Sequence, residues 1–93
     1  MRLRWTADAA EDLREIHDFA FLDSPLAAHR IVNEIYAGIL ALKRMPHIGR
    51  PDGLRQTRDL IFPQIRYKVT YRVRQDGVEV LYIRHTSRGL MPQ

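Results

Sequence analysis

The sequence predicts an α+β fold, with an N-terminal strand and an antiparallel helical hairpin packed on a twisted antiparallel β-sheet. Three observations carry that reading. Two apolar stripes at helical spacing fill residues 7–42 and are broken once, at Asp23-Ser24-Pro25. A strictly alternating run, RYKVTYRVRQDGVEVLYIRH, extends from Arg66 to His85 around Asp76-Gly77. The 93 residues include no cysteine, so residues 1–93 form a single domain held by one hydrophobic core, without disulfides or thiolate metal sites.

The elements follow in order. Arg2-Leu3-Arg4-Trp5 alternates polar and apolar residues, as a short strand with Leu3 and Trp5 inward does. Thr6 caps the first helix, whose opening turns hold Asp8, Glu11 and Asp12, where the helix dipole favours acids. Leu13, Ile16, Phe19 and Ala20 form its apolar stripe. Ser24 caps the second helix and Pro25 takes its first position. Ala28, Ile31, Val32, Ile35, Ile39 and Leu42 then repeat at spacings that keep one face apolar. So short a connection makes the two helices antiparallel neighbours. Met45-Pro46 ends the second helix, PHIGRPDG reads as turn chemistry throughout, Arg58–Phe62 reads as a strand, and residues 63–65 turn.

Asp76-Gly77 between two alternating runs is a strong hairpin signal, because a type I′ turn needs positive φ at both central residues. A two-residue loop there sets Arg74 opposite Glu79, Arg72 opposite Leu81, Tyr71 opposite Tyr82, Thr70 opposite Ile83 and Lys68 opposite His85. The helices then cover a face of Tyr67, Val69, Tyr71, Val73, Val78, Val80 and Tyr82. The other face stays open, with Arg66, Lys68, Arg72 and Arg74 over an apolar floor of Leu81 and Ile83.

Charge is distributed unevenly. Residues 1–45 hold six Lys/Arg against seven Asp/Glu, whereas residues 46–93 hold nine against four. The basic half therefore points to an anionic partner, nucleic acid or an acidic protein segment. No stretch approaches the roughly 18 apolar residues of a membrane span, and the charged start MRLRW does not read as a secretion signal. A cytoplasmic protein without membrane contact is expected. His29 and His47 lack partners at ligand spacing and His17 reads as a surface residue beside Asp18, so neither a metal nor another cofactor is expected.

The ordered set Trp5, AEDLREI within Ala9–Ile16, SPLAA from Ser24, LKRMPHIGR from Leu42, TRDL from Thr57, YKVTYRV from Tyr67 and VLYIRHTSR from Val80 resembles the RelE/ParE toxin superfamily, closer to its ParE side. The resemblance covers roughly residues 3–89. It implies the helical hairpin on a sheet derived above, and the toxin of a two-gene type II toxin–antitoxin module that inhibits growth, of the kind associated with plasmid stabilization. A cognate antitoxin would wrap the sheet and helices, and operator DNA would be met only through that antitoxin.

Within the superfamily, RelE-like members cleave messenger RNA on the ribosome, while ParE-like members poison DNA gyrase. Matched residue by residue, the RelE-like pattern would put Lys68 and Arg88 on the phosphate and His85 as base. The pair of strand positions that usually carries lysines falls on Asp59 and Ile61, and the C-terminal tyrosine or histidine has no counterpart. Those departures favour a ParE-like, gyrase-directed toxin. Contacts to target or antitoxin are then expected from Arg66, Arg72, Leu81, Ile83, Arg84 and Arg88.

Overall fold

The computed structural model describes residues 1–86. Their element order is β1 (Arg2–Trp5), α1 (Ala7–Asp23), α2 (Pro25–Ala41), β2 (Arg50–Asp52), β3 (Thr57–Phe62), β4 (Tyr67–Arg74) and β5 (Gly77–His85). The helical hairpin lies on one face of a five-stranded sheet, as the sequence predicts.

Both helices start where the caps predict. Thr6 has extended backbone geometry and its hydroxyl accepts from the Ala9 amide at 3.0 Å, while Ser24 does the same for Ala27 at 3.1 Å. Ser24 also ends α1, its amide donating to Ala20, so one residue closes one helix and opens the next. The stripe of α2 is buried through Ala28, Ile35 and Ile39, with Leu42 just beyond its end. Each fully buried Ile or Leu contributes about 1.5–3 kcal/mol relative to an exposed one. Ile35 and Ile39 meet Val69, Val80 and Phe62 of the sheet, and Leu42 meets Tyr71 and Val78. Gly38 makes that approach possible, since a Cβ there would lie 2.5 Å from the Phe62 ring. The stripe of α1 ends sooner than its spacing suggests: Ile16 is buried, but Phe19 is 74% exposed.

The sheet runs in the order β1-β5-β4-β3-β2, and β1 pairs with β5 in parallel. It is therefore mixed rather than wholly antiparallel. The helical hairpin and then β2, β3 and β4 lie between the first strand and the last, a connection long enough for the two to pair in the same direction. The segment read as turn contains β2, an edge strand whose Pro51 sits where a missing donor costs little.

The β4–β5 register also departs from expectation. Arg74 pairs with Gly77, so the two-residue loop is Gln75-Asp76, and Gly77 is the first residue of β5. Val73 faces Val78 and Tyr71 faces Val80, but Thr70 faces Tyr82, which leaves Leu81 as the extra residue of a β-bulge. Beyond the bulge Val69 faces Ile83, Lys68 faces Arg84 and Tyr67 faces His85. The expected pairs Arg72–Leu81, Tyr71–Tyr82 and Lys68–His85 do not form.

The cause of the shifted tip lies in β1. A Cβ on Gly77 would sit 2.5 Å from the Arg2 carbonyl oxygen, so glycine is required for close approach rather than for positive φ. Positive φ among non-glycine residues falls instead on Gln56 and Arg66, each at the end of a tight turn.

Candidate functional site

The open sheet face is a grid set by register. One row runs from Arg2 on β1 through Gly77 to Arg74, and the next runs from Arg4 through Glu79 and Arg72 to Thr57 and Asp52. The third holds Tyr82, Thr70, Asp59 and Arg50, and the fourth Arg84, Lys68 and Ile61. Cations outnumber acids, and each acid is embedded among them. Glu79 accepts from the Arg74 Nε at 3.2 Å, the ion pair that the sequence places there despite the shifted register. Asp59 lies 3.7 Å from the Lys68 ammonium and accepts a 2.6 Å hydrogen bond from the Thr70 hydroxyl.

The centre of this face is a shallow concavity of about 680 Å³, bordered by Lys68, Asp59, Ile61, Tyr82, Arg84 and Arg50, with His85 also lining it. The bulge shapes it. Without the extra residue Tyr82 would turn toward the helices, and with it the ring lies on the open face, where the Arg84 guanidinium stacks 4.2 Å above its centre. Tyr82 is thus an open-face residue that alternation alone assigned to the core. Ile83 is the converse: 4% exposed, it belongs to the core beside Ile16 and Val69 rather than to an apolar floor.

The remaining expected site residues fall in several places. Arg72 is on the open face, opposite Glu79. Leu81 sits half-buried in the bulge, its carbonyl accepting from the Thr6 hydroxyl at 2.8 Å. Arg66 lies in the turn before β4, exposed and at φ 65°, and is not part of the grid. His85 does not stand across from Lys68. It faces Tyr67 on the helix side, their rings edge-to-face with centres 5.1 Å apart. By register His85 falls on the face opposite Lys68, yet as the last residue of β5 it also borders the open-face concavity that Lys68 lines, and Arg88 lies outside the described residues.

Two further features were not anticipated. Asp12 of α1 accepts from the Ile83 amide at 2.9 Å, satisfying β5 beyond the point where β1 ends. At the tip of the helical hairpin Phe19, Leu22 and Leu26 are 74%, 83% and 64% exposed, and Phe19 and Leu22 border a hollow that Ile65, Tyr67 and His85 also line. Amphipathic spacing places Phe19 on the inward stripe of α1, and the sequence gives no sign that the sheet ends short of it. Among the described residues no helix is long and apolar enough to cross a membrane.

The comparisons with known proteins agree with this architecture. The family model for the ParE toxin of the type II toxin–antitoxin system parDE matches residues 3–90. A Sinorhizobium fredii protein named "Putative toxin Y4kP" is 39% identical over 87 residues, 94% of this chain and 90% of that protein. A solved structure described as the chromosomal ParDE TA system from P. aeruginosa aligns with a TM-score of 0.81 at 28% identity, covering 94% of this chain and 97% of that one. Two helices on a mixed five-stranded sheet are therefore shared along nearly the whole length, and the chain belongs to the ParE toxin family of type II toxin–antitoxin systems.

Proposed function

We propose that this toxin inhibits growth by binding a protein target, DNA gyrase, rather than by cutting RNA, and that a cognate antitoxin neutralises it by covering the open sheet face and the hairpin tip. The observation that carries the reading is the position of Asp59. Metal-free RNA cleavage needs a base for the 2′-hydroxyl, an acid for the leaving oxygen and cations around a phosphate that gains negative charge. Here a carboxylate stands 3.7 Å from Lys68, where that phosphate would have to bind. It repels the substrate and already occupies the cation. The imidazole of His85 packs edge-to-face on Tyr67, and the residue across the strand from Lys68 is Arg84 rather than His85.

The same surface suits a protein. Tyr82, Ile61 and the Arg84 guanidinium offer flat apolar and cationic area, the combination found at the energetic centres of interfaces. The exposed Phe19, Leu22 and Leu26 form a second apolar contact region on the helix side.

The test is a pair of assays on one preparation of the full chain, free of antitoxin. Gyrase supercoiling should be inhibited while ribosome-bound messenger RNA stays intact. Messenger RNA cut at the ribosomal A site, with cutting abolished by His85→Ala, would replace this reading with the RelE-like one.

A further inference from the structure

One corner of the open face is built differently from its centre. Along the first row of the grid, Arg2 and Arg74 flank Gly77, so the sheet carries no side chain between two guanidinium groups. The result is a notch of about 360 Å³, lined by Arg2, Arg4, Lys43 and Arg74 together with Asp76 and Glu79. Glu79 is engaged by Arg74. Among the described residues no carboxylate lies within 4.0 Å of Arg2, Arg4 or Lys43. The notch is also accessible, because β1 is an edge strand and the Gln75-Asp76 turn lies beside it.

We propose that this corner binds the phosphate backbone of nucleic acid, without regard to base sequence. Three features favour phosphates over an acidic polypeptide. The cations are chiefly arginines, whose planar fork matches a phosphate bidentately. Their spacing is regular: residues two apart on a strand are about 6.6–6.8 Å apart, and positions two strands apart about 9–10 Å, so several phosphates can be met at once. Finally, the notch offers no apolar anchor. Its apolar lining residues, Leu3 and Val78, are core side chains, whereas a peptide interface draws its affinity from exposed apolar or aromatic groups such as those at the centre of the face. Glycine at position 77 thus serves two ends: it lets β1 approach, and it leaves room for an anion beside Arg2, which, unlike Arg74, has no carboxylate partner among the described residues.

This inference goes beyond the gyrase reading and does not depend on it, since the contact is measured with nucleic acid alone. The experiment titrates a short fluorescently labelled DNA duplex of scrambled sequence with the full chain, between about 50 and 200 mM KCl. Wild-type affinity should fall steeply with salt. Arg2→Ala/Arg4→Ala should weaken binding at the lower salt about tenfold or more, and reduce the slope of log affinity against log salt by about 2. Arg50→Ala/Arg55→Ala, at the far edge of the sheet, should change neither. Where alanine at positions 2 and 4 lowers the thermal midpoint, Arg2→Gln/Arg4→Gln removes the charge while retaining part of the aliphatic stem and a polar end. No binding at the lower salt, or equal losses in the two double variants, overturns the proposal. Displacement of the duplex by an equal charge of poly-glutamate also overturns it, because the ligand is then an acidic polypeptide.

Discussion

Single residues fix the rim of this fold, and Tyr71 is the clearest case. Fully buried between β4 and the chain after α2, it donates from its hydroxyl to the Pro46 carbonyl at 2.8 Å and accepts from the Gly49 amide at 2.8 Å. Tyr71→Phe keeps the ring but strands both groups, and should cost about 1–3 kcal/mol, measured by urea unfolding. Burial raises the Tyr71 hydroxyl above its ordinary value of 10.0, against a smaller lowering by the Gly49 amide and Arg58. Tyr67 is raised by burial as well. A raised acid keeps its proton longer in the folded chain than in the unfolded one. The stabilisation is therefore complete below pH 10 and is lost as pH rises from there through the folded values, so thermal midpoints should fall over that alkaline range. Tyr71→Phe should flatten part of the decline. At Gly77 any side chain meets the Arg2 carbonyl. Gly77→Val should cost more than about 1 kcal/mol through displacement of β1, and an unchanged thermal midpoint would show that β1 does not depend on that approach.

At the scale of elements, side chains of α1 do work that a neighbouring strand would otherwise do. Thr6 caps the helix and donates to Leu81 in the bulge, while Asp12 receives the Ile83 amide. Asp12→Ala leaves that amide without its partner and should lower stability by about 1–3 kcal/mol; Asp12→Asn, which keeps a carbonyl acceptor, should recover much of it. The contrast between those variants, followed by chemical denaturation, separates the hydrogen bond from the helix-dipole role that sequence alone assigns to Asp12. Helices, caps, β3 and the alternation of β4 were legible because each depends on local chemistry: a hydroxyl before an apolar stripe, a proline at the first turn, a period of two. The β4–β5 register was not. Asp76-Gly77 satisfies the rule for a hairpin loop, yet the glycine answers to Arg2, 75 positions earlier in the chain. Leu81 offers no local mark of a bulge, and one unpaired residue was enough to exchange Tyr82 and Ile83 between faces. The site followed the same division: Lys68 and Arg72 were placed on the open face by periodicity, whereas the place of Arg84 there, and the pairing of His85 with Tyr67 rather than Lys68, rest on the bulge.

Across the whole molecule charge is sorted by layer. α1 carries Asp8, Glu11, Asp12, Glu15, Asp18 and Asp23 against Arg14 alone, while the sheet presents its arginines on the opposite side. An antitoxin with an acidic segment would be drawn to one side and repelled by the other, and its association should then slow as salt rises. Arg72→Glu/Arg84→Glu should weaken the antitoxin complex at least about tenfold in a titration, since both sit on the open face while neither is buried. In cells lacking antitoxin, Arg84→Ala should relieve growth inhibition and His85→Ala should not; the reverse result would shift the activity toward RNA. The parallel pairing of β1 with β5 bears on synthesis as well. The first strand to leave the ribosome has no partner until the fifth has followed it, so every earlier folding intermediate exposes the β5-facing side of Leu3 and Trp5. Closing so distant a pair is slow compared with forming the helical hairpin. A toxin wired this way acquires its finished sheet only once β5 has emerged, which gives an antitoxin translated alongside it time to arrive before the target is met.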